Sequence, residues 1–228
     1  RYGQYYMCGA CNISLGQSTM QGTTTAADNI GHSNIAIGKN AMFYEKTGCY
    51  NIAIGESALS GPTAGVTGSG NVALGNKTLQ NATSSPYNIA IGWEAGCTIT
   101  TGGYNVIFGY HAGRGNSSTA NTGGCNIFIG LEAGCCITSG GHNVFLGNKA
   151  GTNNTSGSGN VAIGKQVCNS TPTSDSQLDI GFEANRWIRG DSSYNVCLAG
   201  STIKAMASGG IFCATSFVGS GANLTGIN

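Results

Sequence analysis

Charge is what this sequence has least of. Charged side chains make up only 8% of its 228 residues, against about 25% in an ordinary soluble domain. With a net charge of +1 it carries no basic footprint for nucleic acid or for an anionic membrane surface. Three prolines are too few for a polyproline linker or collagen. No apolar run approaches the roughly 18 residues of a membrane-spanning helix. Low charge combined with 40% hydrophobic residues excludes disorder and points to burial or assembly. The chain starts at Arg1 with no secretory hydrophobic segment after it, which reads as a processed chain or part of a longer one.

What is abundant is glycine, 39 residues, and it is periodic. The unit Asn-(Ile/Val)-x-(Ile/Leu/Phe)-Gly starts at Asn12, Asn34, Asn51, Asn71, Asn88, Asn105, Asn126, Asn143 and Asn160. Degenerate copies start at Gln177 and Asn195. Successive starts differ by 22, 17, 20, 17, 17, 21, 17, 17, 17 and 18 residues, so the base period is 17. Ile35 and Ile37 alternate with Ala36, which is strand periodicity. Their β-branched side chains suit a buried pleated face, and Gly38 ends the strand at a sharp bend. A small residue follows three places later, as at Ala41, Ala58 and Ala95.

Seventeen residues are too few for a helical-hairpin repeat but enough for two short strands and two turns. One such coil cannot bury its apolar face, whereas stacked coils can. The expected fold is therefore all-β, a parallel β-solenoid of about 11 coils. The motif asparagines form a ladder of amides about 4.8 Å apart. Residues 12–184 are read as the solenoid, residues 1–11 as a lead-in, and residues 185–228 as a C-terminal fibre segment. The middle strand residue is alanine at first, then becomes Ile107, Phe128 and Phe145. That widening suggests packing against another chain, so these three residues are expected at an inter-chain contact in a symmetric oligomer.

The Asn-Ile-Ala-Ile-Gly-x-x-Ala unit resembles the head repeats of trimeric autotransporter adhesins. The 17-residue period and the Gly-Gly-Tyr-Asn linkers look more like tail-fibre proteins of marine and cyanobacterial phages. Residues 186–196 (RWIRGDSSYNV) and 213–227 (CATSFVGSGANLTGI) are similar to segments common in such fibres. The resemblance implies an intertwined or side-by-side homotrimer and a structural virion fibre involved in host attachment, without enzymatic activity. Its implied partners are its own copies, other virion proteins, and a host surface glycan or protein. A bacterial surface adhesin or extracellular filament is the alternative, and a glycan-degrading tail spike a more remote one. The sequence has no His-x-His motif of the kind found in some fibre tips, so the chain reads as shaft.

Four groups of side chains carry chemistry. Glu94 and Glu132 lie two residues after motif glycines in coils two apart, with His111 between them. Their spacing of about 9.5 Å approaches that of an inverting glycosidase pair. Lys77 and Lys149 occupy the same column in adjacent coils, so a surface charge ladder is the preferred reading. Ten cysteines include a lone Cys8-x-x-Cys11 with no second pair to complete a zinc site. No metal or other cofactor is therefore expected. Cys97 and Cys135, two coils apart, are too distant for a bridge, and Cys135 and Cys136 should point to opposite faces if extended. Tyr87 and Tyr104 should stack. Together with Trp93 and Tyr110 they are candidates for receptor or inter-chain contact.

Overall fold

A computed structural model describes residues 10–22, 29–116, 119–193 and 195–198. Its strands are β1 (Ile13–Leu15), β2 (Ile35–Ile37), β3 (Ile52–Ile54), β4 (Val72–Leu74), β5 (Ile89–Ile91), β6 (Val106–Phe108), β7 (Ile127–Ile129), β8 (Val144–Leu146), β9 (Val161–Ile163), β10 (Leu178–Phe182), β11 (Asn185–Gly190) and β12 (Val196–Leu198). They form one sheet in chain order. β1 to β10 pair in parallel with each motif residue in register with its counterpart, as in Ile35↔Ile52, Ala36↔Ala53 and Ile37↔Ile54. This is a β-solenoid, with eight turns linking β2 to β10. Ten parallel rungs at about 4.8 Å give a stack on the order of 43 Å long.

Two expectations need correcting. Each coil has one three-residue strand rather than two. Among the described residues, the far side has only the isolated bridges Glu45↔Val66 and Ile99↔Asn121 in place of a second strand. The copy at Asn195 is no eleventh coil: β11 runs antiparallel to β10, and β12 antiparallel to β11. The bend after Phe182 reverses the chain and ends the parallel stack. The segment 213–227 lies outside the described residues.

The tight coil depends on left-handed backbone at fixed places. The residue before each motif asparagine has φ near +60°, for example Ser33, Tyr50, Tyr87, Tyr104 and His142. So do the residues two and four places after the motif glycine, as at Lys77 and Leu79. Each such non-glycine residue costs roughly 1–2 kcal/mol, which only a repeated cooperative stack can offset. At the motif glycine itself a side chain is excluded. With φ at +126°, a Cβ on Gly38 would lie 2.7 Å from the carbonyl oxygen of Gly55 in the next coil.

The interior is lined by buried columns that face each other across the coil, and it corrects the reading of the widening strand residue. Ala36, Ala53, Ala73 and Ala90 point inward and are fully buried, as are Ile107, Phe128 and Phe145. These last three are enclosed within a single chain, so they are not an inter-chain contact. Across the coil, four residues after the motif glycine, stand Met42, Leu59 and Leu79 opposite the alanines. Opposite Ile107, Phe128 and Phe145 stand Gly113, Gly134 and Gly151. A Cβ on Gly134 would come within 2.8 Å of the Phe128 ring. Volume is thus exchanged between two interior columns while the width of the coil is kept. At the crossover, Gly96 faces Ala90 in its own coil, and Leu79 and Ile107 fill the space from either side. The Phe128 and Phe145 rings stack at 5.3 Å.

Phe128→Ala alone should cost about 3–5 kcal/mol by leaving a cavity. Adding Gly134→Leu rebuilds the pattern of Ala73 and Leu79 in a column where leucine already adopts positive φ. The double variant should therefore recover more than half of that loss in thermal or urea unfolding. Equal stability of the single and double variants would contradict the volume exchange.

Candidate functional site

The outward side of the sheet is the most distinctive surface. The strand residues flanking the buried middle position face out, including Ile35, Ile37, Ile52 and Ile54, so the buried face expected for them is instead half-open. Ile129 is 43% exposed, and Ile13, Leu15, Ile89, Phe108 and Ile127 are also exposed. The two columns form an apolar strip along the whole parallel stack, on the order of 400 Å². In the coils at Asn88, Asn105 and Asn126 it is extended by Trp93, Tyr110 and Leu131, one residue after the glycine. Trp93 is 51% exposed and Tyr110 46%. Elsewhere that column holds Gln17, Lys39, Glu56, Asn76, Asn148, Lys165 and Phe182.

On the other edge, Tyr87 and Tyr104 stack with centroids 5.3 Å apart and planes at 28°. Tyr50 meets His32 edge-on at 5.2 Å. It is separated from Tyr87 by the coil of Gly70, over which the Tyr87 ring lies. The four aromatic candidates Trp93, Tyr110, Tyr87 and Tyr104 therefore flank the same part of the stack. Trp93 and Tyr110 occupy one edge column and Tyr87 and Tyr104 the other.

The carboxylates sit in the expected charge column. Glu94 meets Lys77 at 3.9 Å, His111 Nε2 at 3.2 Å and Arg114 Nε at 3.5 Å. Glu132 meets Lys149 at 3.4 Å. Lys39–Glu56 pairs at 3.6 Å within the neighbouring column, one residue after the glycine, and Lys165–Glu183 joins the two columns at 2.7 Å. Arg114, in the turn two residues after Ala112 and paired with Glu94, is a contributor that the column alignment did not identify.

The described cysteines are all free thiols, Cys97 and Cys135 included. Cys135 and Cys136 do not diverge. The chain is in a turn there, and their sulfurs approach to 3.8 Å. Burial, then the neighbouring Cys136 thiol, pushes the Cys135 pKa up to about 12. Cys8 lies outside the described residues. Among the described residues no group of three His, Cys, Asp or Glu side chains could hold a metal ion, and no helix is long and apolar enough to cross a membrane.

The C-terminal end of the interior is polar. Asp179 takes the inward strand position that alanine or phenylalanine holds above it, and is fully buried. Arg186 Nε lies 3.4 Å and Arg189 Nε 3.2 Å from its Oδ1. Beside it is a cavity of about 360 Å³ bordered by Ser170, Asp175, Arg189, Asp191 and Asn195. Hydrogen bonds from the Asn195 side chain and backbone hold the Asp191 carboxyl below its usual range. A second cavity, of about 380 Å³, lies among Asn40, Phe43, Tyr44, Ser57, Ser60, Gly61 and Gln80. Reading the columns missed it because it lies on the far wall, where strand periodicity gives no guide. The available signal was the 20-residue spacing after Asn51.

No family model, curated protein or solved structure matches this chain.

One buried titratable group lies on the far side of the coil. Glu45 is fully buried, in the column that holds Val66 in the next coil. Neither carboxylate oxygen has a well-aligned hydrogen bond. Burial pushes its pKa well above the usual range, and the nearby Gly48 and Lys46 amides offset only part of this. The folded state therefore holds a proton that the unfolded state releases at about pH 4.3, so stability falls as pH rises above that value. Glu45→Gln should remove this slope. The variant should unfold at higher temperature than wild type at about pH 7, with the gap closing at about pH 4.

Proposed function

We propose that the chain is a shaft segment of a phage virion fibre, a parallel homotrimer that carries or performs host-cell attachment. The observation that supports this most is the outward apolar strip. What favours an interaction surface is the regularity of this strip, two aligned apolar columns repeated from coil to coil, more than its area. Neighbouring copies are its natural cover, because the strip is regular, uncharged and self-similar along its axis. Copies arranged in parallel match strand columns to strand columns. Trp93, Tyr110, Tyr87 and Tyr104 at the edges of the strip would then border the seams, where aromatic residues are enriched. The charge ladder, exposed beside the strip, supplies polar surface to an otherwise charge-poor rod.

A rigid rod built from one repeated coil suits extension away from a particle, and extra residues between coils add local surface features without disturbing the stack. The resemblance to phage tail fibres supports the virion as its location, with other virion proteins at its ends.

Native mass spectrometry and light scattering should give three chains per particle. Paired Ile89→Lys and Ile129→Lys substitutions, on exposed side chains, should yield monomers that keep their β spectrum. A stable wild-type monomer would overturn the assembly. Antibodies raised against the chain should label tail fibres of the virion that carries it, and added protein should slow adsorption of that virion. Labelling confined to a bacterial surface would favour the adhesin reading instead.

A further inference from the structure

The cavity on the far wall has the composition of a binding site, and its origin lies in one irregular coil. In the coil starting at Asn51 the spacing to the next motif is 20 residues. The extra residues leave the wall at Pro62, where Gly65 N–H bonds back to the Pro62 carbonyl, and return at Val66. Just before this excursion the wall residues are Ser60 and Gly61. They stack against the wall residues of the coils on either side. Tyr44 N–H donates to the Ser60 carbonyl and Gly61 N–H to the Gln80 carbonyl, each at 2.9 Å. Phe43 and Tyr44 are bulky on one side, Gln80 is long on the other, and Ser60 and Gly61 between them are small. The result is a notch one coil deep, spanning roughly 9.5 Å between the flanking coils.

Its walls divide by chemistry. Phe43 and Tyr44 meet edge to face, centroids 4.5 Å apart and planes at 86°, and both are half-exposed. They offer ring surface and one phenol hydroxyl. Asn40, Ser57 and Gln80 line the same space, and none of these three side chains has a hydrogen-bond partner among the described residues. Two primary amides and a hydroxyl therefore stand ready to donate and accept. No lining residue carries a charge. The volume of about 380 Å³ falls within the range of small-ligand sites.

We propose that this notch binds a neutral sugar residue of a host-surface glycan. The proposal rests on the attachment reading and supplies it with a ligand class. A pyranose has an apolar C–H face for the Phe43 and Tyr44 rings and a rim of hydroxyls for the amides. An anionic sugar finds no cation here, and an apolar peptide side chain would leave the amides unmatched. The site uses none of the outward strand columns, so assembly through the sheet leaves it open. In a trimer each rod carries three such notches at one height, which multiplies weak single-site affinity.

The test uses saturation-transfer NMR on the full chain with methyl glycosides of glucose, galactose and N-acetylglucosamine, and N-acetylneuraminic acid as the acidic control. At least one neutral glycoside should receive transfer and the acidic sugar none. The Gln80→Ala, Asn40→Gly double variant should lower affinity at least about ten-fold. It removes both amides while glycine keeps the positive φ of Asn40. Its unfolding midpoint should stay within a few degrees of wild type. Gln80→Ala alone, on a half-exposed side chain, should give a smaller loss in the same direction. Absence of transfer from all three glycosides, transfer unchanged in the double variant, or equal transfer to the acidic sugar would each overturn the proposal. Cell binding read in parallel separates the two levels. If the wild-type protein and the double variant block virion adsorption equally, attachment stands and this notch is not its site. If the wild-type protein blocks nothing, the attachment reading itself fails.

Discussion

Every coil hangs on one asparagine. Its side-chain oxygen accepts the backbone N–H of the next motif asparagine, at 2.8–2.9 Å from Asn51 through Asn160. Its side-chain nitrogen donates to a carbonyl on the far turn of its own coil, fourteen residues on for most copies, as in Asn34 to Gly48 and Asn126 to Gly140. One amide thus ties a coil to its neighbour and closes the coil on itself. Aspartate cannot donate, and glutamine is too long for a spot buried against the turn. The exception shows the rule: Gln177 donates its N–H to Asn160, but its longer side chain reaches Ser170 and Thr171 instead. There the parallel stack ends and the hairpin begins. Direct amide-to-amide bonds occur only in part of the ladder, as between Asn105 and Asn88 at 2.9 Å.

Because the asparagines are buried, other residues are free to vary in prescribed ways. The left-handed turns accept Lys, Glu, His or Ser two residues after the glycine, since those side chains leave the interior, and the charged ones pair along the column. In the column four residues after the motif glycine, a large side chain such as Met42 or Leu79 stands only where the inward strand residue is small, and glycine stands there in the coils of Ile107, Phe128 and Phe145. Asp179 closes this interior with two arginines. A buried carboxylate there is tolerable only because both cations accompany it.

Much of the stack was legible in the sequence. The period of the Asn-to-Gly motif placed all ten parallel strands, and its columns identified the charge ladder and the Tyr87–Tyr104 stack. What was not legible depended on which way a strand side chain points. In a three-residue strand the alternation Ile-Ala-Ile has two readings, and only the coil's diameter decides between them. A coil this narrow admits the alanine and turns the isoleucines outward. The same ambiguity led Ile107, Phe128 and Phe145 to be read as outward. The compensating glycines at 113, 134 and 151 were visible in the sequence, but their meaning required knowing that the two columns face each other. The far-wall notch depended on how an insertion leaves and rejoins the coil, which spacing alone does not specify. At the C-terminus, Asn195 shares the motif spacing, but the chain has already reversed after Phe182 and reverses again after Gly190, so β12 pairs antiparallel to β11.

The inward asparagines give a coil that is complete inside one chain, and the outward isoleucines leave an apolar strip on its surface. The first is the central claim. Asn105→Ala measures it most directly, because it strips the acceptor of Asn126 N–H and the donor to Gly123 O while changing no exposed surface. With two backbone groups left unpaired in a buried site, unfolding free energy should fall by about 2–4 kcal/mol. Hydrogen exchange should quicken at the Asn126 amide and in the coils beside it. A loss below about 0.5 kcal/mol, with Asn126 still protected, would show that strand pairing and core packing hold the coils without the ladder.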